Sequence, residues 1–233
     1  MRSGCETMAS DEDDRPFGGV SFGDLDGTEP VSRAFGGDRG TPLDRYYIEG
    51  FLARHAGDIR GRVLEIGESR YTRQFGSRAV DKAVILDAPE ADNPHADIAA
   101  DLQSGEGVPS DAFDCIILTQ TLHMIYDMSG AVRTLHRALR PGGTCLATVP
   151  GISQIDAIDG PSKWYWSLTQ TGARLLFSEH FRPEDVSVAV HGNVYAATAF
   201  LQGLALEELD RDKLDRTDEL YPVISEIRAL KRP

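Results

Sequence analysis

Two residues with ligand-binding chemistry stand at the ends of predicted apolar strands. Gly67 closes the first of these strands, over residues 62–66, and Asp87 closes the second, twenty residues later. Glycine lets the backbone approach a ligand closely, and a carboxylate can accept both hydroxyl groups of a ribose. This order predicts an adenosine ribose bound at Asp87. Glu90 is the competing acceptor, and a solvated loop acid is the alternative for Asp87.

Polar side chains also follow a third predicted strand, over residues 113–119. Gln120, Thr121 and His123 come at its carboxyl end, where open sheets bind their ligands. The ordinary pKa of an imidazole is near neutrality, so His123 is the predicted general base for an acceptor hydroxyl or amine. The alternative is a packed or capping histidine.

Two later groups are candidates for contacts to a base and to a second molecule. Asp101 can accept from an adenine amino group while Leu102 packs on the ring, with a turn cap as the alternative for Asp101. Aromatic and polar side chains of the last third are candidates for a substrate pocket, namely Tyr165, Trp166, His191 and Asn193. The alternative for the aromatic residues is a core plug between the sheet and the last helix.

The elements that position these residues are read from apolar periodicity. Strands are predicted near 62–66, 82–87, 97–102, 113–119, 145–149, 186–190 and 221–229, and helices near 69–77, 128–139, 167–177 and 195–209. A further helix begins at Thr41-Pro42-Leu43-Asp44, where Thr41 and Asp44 form a predicted capping box. Strands that alternate with helices indicate an α/β fold with an open, mostly parallel, doubly wound sheet and an antiparallel C-terminal edge.

Composition bounds the remaining classes. The chain has 233 residues and a formal net charge of -13, which argues against a nucleic acid or an anionic membrane surface as partner. Residues 1–30 are predicted to be a flexible acidic and glycine-rich leader, or else a lid over a ligand, and residues 31–233 a single domain. Cys5, Cys115 and Cys145 have no metal-binding spacing, so free thiols in the cytoplasm and no metal are expected.

Several of these segments together resemble a known family. The matching motifs are Val63-Leu64-Glu65-Ile66-Gly67, Asp87, Asp101-Leu102, residues 113–118 and residues 135–143. In this order they resemble the class I S-adenosylmethionine-dependent methyltransferases over about residues 60–150. The segment 164–169 and the helix after it are similar to the small-molecule branch of that family.

The resemblance implies a seven-stranded sheet, Rossmann-like, with S-adenosylmethionine lying across the carboxyl ends of its strands. Glu65 and Gly67 would border the methionine moiety, Asp87 would take the ribose, and Asp101 and Leu102 the adenine. Thr119 and Gln120 would lie beside the methionine portion and the transferred methyl group.

The first turn departs from the family pattern. It holds one glycine, Gly67, where family members usually carry two or three. Glu68 follows it, and this carboxylate is expected either to engage the cofactor's ammonium group or to face water.

The expected function is methyl transfer to a small molecule, a specialised metabolite or a sugar. Three alternatives stand beside it: a fold relative that binds the cofactor as structure, one that positions a substrate for cyclisation, and a nicotinamide-dependent oxidoreductase. The last lacks its G-x-G-x-x-G motif. The sequence leaves the oligomeric state open between a monomer and a homodimer.

Overall fold

A computed structural model describes residues 23–157 and 162–233. Cys5 and most of the predicted leader lie outside the described residues. The chain divides at residue 30: of the first part, Gly23–Leu25 forms one 3-10 turn, and the second part carries all the elements discussed below.

A single seven-stranded sheet forms the centre of this second part, with the strand order β3-β2-β1-β4-β5-β7-β6. The strands are β1 (Gly61–Ile66), β2 (Val80–Asp87), β3 (Ile98–Ala99), β4 (Phe113–Thr119), β5 (Leu139–Pro150), β6 (Val186–His191) and β7 (Ile224–Leu230). All neighbouring pairs are parallel except those of β7, which runs antiparallel between β5 and β6. The predicted fold class is confirmed.

Helices cover both faces of the sheet. They are α1 (Leu43–Arg54), α2 (Arg70–Gly76), α3 (Met128–Ala138), α4 (Gln170–Ser178), α5 (Val194–Leu201) and α6 (Arg211–Leu214). Side chains of α3 and α4 join one large apolar cluster, and α1 packs on the opposite face of β1 and β4. The continuous apolar run of β4 follows from this arrangement, because Cys115–Leu118 is fully buried from both sides.

The parallel strands place their carboxyl ends along one edge of the sheet. Gly67 and Gln120 follow β1 and β4 at this edge, and Asp87 and His191 end β2 and β6 there. Three strand spacings separate β4 from β6, or about 14 Å at the usual distance between strands. The sequence shows which residues reach this edge, but the strand order decides which of them are neighbours.

Two sequence predictions of local structure are wrong. Pro42, not Thr41, precedes α1, and no side chain caps that helix, since the Thr41 hydroxyl donates to Glu207 instead, at 2.7 Å. The predicted helix over 195–209 ends at Leu201. Gly203 adopts a φ of +65°, and its backbone lies so close to Ser32 that a side chain would clash there. Glycine after the last turn is a common way for a helix to end.

Candidate active site

A cavity of about 630 Å³ lies at the carboxyl ends of β1 and β2. Its walls come from these strand ends and from the loops after β3 and β4. They comprise Ile66, Gly67, Leu86, Asp87, Ala88, Glu90, Ala91, Ala100, Asp101, Leu102, Gln103, Thr121, Met124, Ile125 and Lys163. We call this cavity the cleft. Four of the predicted cofactor residues, Gly67, Asp87, Asp101 and Leu102, meet there.

The turn after β1 is held open by one glycine. Gly67 has a φ of +78°, a conformation that disfavours other residues, and a Cβ added there would meet no atom of a more distant residue within 4 Å. Asn93 fixes this turn to the end of β2, because its amide donates to the Gly67 carbonyl at 2.7 Å and to Asp87 at 2.8 Å. The space beside the turn is therefore open to a ligand.

Asp87 presents a carboxylate to the cleft from the end of β2. One oxygen accepts from the backbone of Ala88 at 2.9 Å, and the other accepts from Asn93. Two carboxylate oxygens have about four acceptor positions between them, so capacity for further donors remains. Glu90, the competing acceptor, also lines the cleft, but it is exposed.

Asp101 and Leu102 form the opposite wall. Asp101 accepts from the backbone of Gln103 at 2.9 Å, which is the turn-capping alternative, and it lines the cleft as well. Leu102 is buried and supplies an apolar surface. Gln103, which sequence reasoning did not single out, lines the cleft beside them.

Glu65 stands apart from the cleft lining. Its carboxylate accepts from the backbone N–H groups of Tyr71 and Thr72 at 3.0 and 2.7 Å, at the start of α2. Burial raises the pKa of Glu65, and the bonds to Thr72 and Tyr71 oppose that shift. Its observed contacts are structural. Glu68 is exposed and borders a smaller groove that Gly67 also lines, and its role toward the cofactor stays a prediction.

A second cavity of about 250 Å³ lies beside the cleft, and Met124 lines both. We call it the inner cavity. Its walls are Phe35, Asp44, Gln120, His123, Met124, Pro150, Ser153, Asp156, Trp164 and Phe200. Gln120 and His123 are predicted site residues, and both line this cavity.

His123 is buried in the inner cavity with its ring 4.1 Å from that of Trp164. Among the described residues nothing hydrogen-bonds to its Nδ1. Burial lowers the pKa of His123 to about 4, because the charged form would lose its hydration. The expectation of a pKa near neutrality is therefore wrong, and the ring is neutral at pH 7. Its role as a general base stays a prediction.

Three other predicted residues lie outside both cavities. Thr119 uses its carbonyl to accept from the Thr121 hydroxyl, at 2.9 Å. Tyr165 and Trp166 are exposed and contact Tyr126 at ring distances of 5.5 and 5.9 Å. Trp164 lines the inner cavity instead. No regular element covers this segment, so no periodicity could indicate which ring points inward.

His191 and Asn193 lie at the far end of the sheet edge. His191 is hydrogen-bonded to Glu226 at 2.8 Å and stacks on Tyr47. Asn193 caps α5, because its side-chain oxygen accepts from Ala196 at 3.0 Å. Neither residue lines the cleft or the inner cavity.

Residues of the inner cavity that sequence reasoning missed come from distant parts of the chain. Phe35 precedes α1, Asp44 lies in its first turn, and Phe200 lies in α5. Asp44 did carry a signal, but its spacing from Thr41 was interpreted as a capping box. The rings carried no such signal, because only tertiary packing brings them to β4.

Comparison with known proteins gives the class. The chain belongs to the methyltransferase domain family, since a family model described as "Methyltransferase domain" matches residues 36–192. A search of curated protein sequences returns no match.

Three solved structures share the fold. The N-methyltransferase NodS from Bradyrhizobium japonicum, in complex with S-adenosylhomocysteine, is 14% identical with a TM-score of 0.51, and the match covers 84% of this chain and 90% of NodS. The 1,6-didemethyltoxoflavin-N1-methyltransferase of Burkholderia thailandensis, also with S-adenosylhomocysteine, is 16% identical with a TM-score of 0.50, covering 80% and 77%. The [4+2]-cyclase SpnF is 16% identical with a TM-score of 0.51, covering 83% of each chain.

The family and the S-adenosylhomocysteine in two of these structures support S-adenosylmethionine as the cofactor. The cleft suits such a molecule. It offers a carboxylate with spare acceptor capacity at Asp87, an apolar wall at Leu102, and open space at Gly67. A single glycine therefore leaves room beside the turn.

Proposed function

We propose that this protein transfers a methyl group from S-adenosylmethionine to a small-molecule acceptor. One observation supports this above the others: a cleft with the features of a nucleoside site adjoins a second, partly aromatic cavity through Met124. A donor in the cleft and an acceptor in the inner cavity would then be neighbours. Two adjoining cavities suit a two-substrate reaction.

In this proposal Asp87 holds the ribose hydroxyl groups, and Asp101 and Leu102 hold the adenine. Gly67 borders the methionine portion. Glu65 acts indirectly, because it fixes the start of α2, which follows the turn. Thr119 supports the loop at the end of β4 through its carbonyl and contacts no ligand.

When bound, S-adenosylmethionine supplies a methyl group on a positively charged sulfur. The protein's own contribution is positioning, since holding two reactants in near-attack geometry can lower a barrier by roughly 7–11 kcal/mol. His123 is neutral at pH 7 and can receive a proton or a hydrogen bond from the acceptor.

The acceptor is proposed to be small, because the inner cavity has a volume of only about 250 Å³. The formal net charge of -13 disfavours a nucleic acid. A cytoplasmic location belongs to the same proposal and is supported by the free, buried thiols of Cys115 and Cys145. Among the described residues, no helix is both long and apolar enough to cross a bilayer.

Calorimetric titration with S-adenosylmethionine and with S-adenosylhomocysteine tests the cofactor half of the proposal. We expect micromolar binding of each at one site per chain. The absence of binding for both ligands, in the free protein and with candidate acceptors present, would overturn it.

Product mass tests the transfer itself. A methyltransferase adds one methyl group to its acceptor, whereas a cyclisation or rearrangement leaves the mass unchanged. This measurement is needed because a [4+2]-cyclase shares the fold. A product of unchanged mass that forms only when cofactor is present would support cyclisation or rearrangement instead.

A further inference from the structure

The inner cavity holds an unusual set of polar atoms. Oδ1 of Asp44, Oε1 of Gln120 and Nδ1 of His123 are shielded from solvent, and none has a hydrogen-bond partner within residues 23–157 and 162–233. A buried polar atom without a partner costs about 1–3 kcal/mol. Three such atoms around one cavity indicate that a ligand completes them.

These atoms define what the ligand must bring. The oxygens of Asp44 and Gln120 can only accept hydrogen bonds, and the free nitrogen of a neutral His123 accepts in one of its two tautomers. A ligand that carries several N–H donors would satisfy all three. A carboxylate or phosphate would instead add acceptors and a negative charge beside Asp44.

The backbone at Gln120 supports a ligand-directed role. Gln120 has a φ of +46°, although it is not glycine, directly after the end of β4. Its backbone N–H donates to the Thr148 carbonyl at 2.9 Å, which holds this conformation. Such backbone strain costs about 1–3 kcal/mol and clusters at functional sites.

The remaining walls suit a cation. The rings of Phe35, Trp164 and Phe200 surround the cavity, and Asp156 is a second carboxylate in it. Aromatic faces attract ammonium groups. Burial raises the pKa of Asp44, and the backbone and charge of Arg45 only partly offset this. A bound cation would favour the charged carboxylate.

We infer that the inner cavity is an amine site, in which Asp44 and Gln120 receive the N–H groups of an acceptor and His123 faces the reacting nitrogen. The inference rests on the proposed methyl transfer. The bound ammonium group first releases one proton to solvent. The lone pair of the resulting neutral amine then forms the new nitrogen–carbon bond, and the carbon–sulfur bond breaks with its electron pair left on sulfur. The nitrogen becomes cationic beside Asp44 and then releases one proton to solvent.

Three fragments of similar size test the amine class directly: benzylamine, benzyl alcohol and benzoate, added to the protein saturated with S-adenosylhomocysteine. Ligand-observed NMR measures their affinities without any turnover. We expect benzylamine to bind at least tenfold more tightly than benzoate, with benzyl alcohol between them. Equal affinities, or a preference for benzoate, would overturn the inference.

Matched variants test whether the preference for benzylamine depends on the residues of the inner cavity. Asp44→Asn should weaken benzylamine about tenfold and leave benzyl alcohol unchanged. Glu49→Gln removes a carboxylate from the same helix outside the cavity and should change neither. Gln120→Met provides a second test if Asp44→Asn does not fold, since it removes the other acceptor oxygen and should also weaken benzylamine.

The amino-acid part of the cofactor also carries an ammonium group, so it is a second candidate for the ligand of the inner cavity. Titration of Asp44→Asn with S-adenosylhomocysteine and with 5′-methylthioadenosine, which lacks that part, separates the two. Equal affinities in variant and wild type for both compounds support an acceptor site. A loss confined to S-adenosylhomocysteine assigns the cavity to the cofactor and overturns the acceptor inference. If the wild-type protein bound neither S-adenosylhomocysteine nor S-adenosylmethionine, the proposed function itself would be overturned.

Discussion

Two histidines follow strands at the same edge of the sheet, in opposite surroundings. His123, after β4, is buried against the ring of Trp164 and has no partner for its Nδ1 among the described residues. His191, at the end of β6, has its Nε2 within hydrogen-bonding distance of both Glu226 and Arg54, and its ring stacks on Tyr47. A ring nitrogen of His123 is thus left without a hydrogen bond, whereas His191 forms its hydrogen bonds within the protein.

This contrast separates a site from a structural network. A cluster of polar side chains that pair with one another joins elements, here α1 to β6 and β7, and needs no ligand to complete its hydrogen bonds. An unsatisfied group lowers stability until a ligand arrives. Changes near β2 and β4 should therefore affect ligand binding, whereas changes near β6 and β7 should affect folding.

The largest expected effect is on cofactor binding through Asp87. Asp87→Ala removes the acceptor of two hydroxyl groups, and hydrogen bonds to a charged group contribute about 1.5–3 kcal/mol each. We expect the affinity for S-adenosylhomocysteine to fall about a hundredfold or more, measured by calorimetry, while the urea midpoint changes little.

Glu90→Ala is the comparison for that variant, because Glu90 lines the same cleft and is the competing acceptor. It should leave the affinity within twofold of wild type. A larger loss in Glu90→Ala than in Asp87→Ala would move the ribose contact to Glu90.

His123 should make stability depend on pH. Its pKa of about 4 lies below the ordinary 6.5, so between these values the unfolded chain binds a proton that the folded chain does not. Stability is then lost as pH falls from 6.5 towards 4, by about 3 kcal/mol in all. Comparison of urea unfolding for wild type and His123→Phe over this range isolates the effect, and parallel curves would contradict it.

The network at β6 and β7 should respond through stability alone. Glu226 accepts from Arg54 at 2.5 Å and is hydrogen-bonded to His191 at 2.8 Å. Burial alone would raise the pKa of Glu226, but His191 and Arg54 hold it below its usual value. We expect Glu226→Ala to lower the free energy of unfolding by about 1–2 kcal/mol, since it removes a buried carboxylate whose hydrogen bonds join α1 to β6 and β7.

Calorimetry of Glu226→Ala with S-adenosylhomocysteine should give the wild-type affinity. Lys213→Ala, which removes an exposed ion pair with Asp210, is the stability control and should cost less than about 0.5 kcal/mol. A tenfold loss of cofactor affinity in Glu226→Ala would show that the two regions are coupled and break the comparison.

The sequence predicted the fold and the cleft better than the inner cavity, for a physical reason. Gly67, Asp87 and Leu102 follow strands or lie in the loop after one, and the ends of parallel strands share an edge, so local pattern is enough. Asp44 and Phe200 reach the inner cavity from helices far apart in the chain. Only packing of α1 and α5 against the sheet determines that meeting.

His191 and Asn193 show the complementary case: they lie outside both cavities, and their role in binding substrate stays a prediction. Both lie at or after a strand's carboxyl end, which satisfies the rule for a ligand site. The rule gives the edge but not the position along it, and β5 and β7 separate β6 from β4. Periodicity carries no information on that order.

The smallest expected effect concerns Asn193 and tests this reading. Its side chain accepts from Ala196 and donates to the carbonyls of Lys213 and Arg216, so it ties α5 to the end of α6. Asn193→Ala should lower the free energy of unfolding by about 1 kcal/mol, as expected for a lost helix cap, and Asn193→Ser should recover part of it. Benzylamine affinity should stay at the wild-type value in both, because Asn193 does not line the inner cavity. A selective loss of benzylamine binding without loss of stability would support the prediction that Asn193 binds substrate.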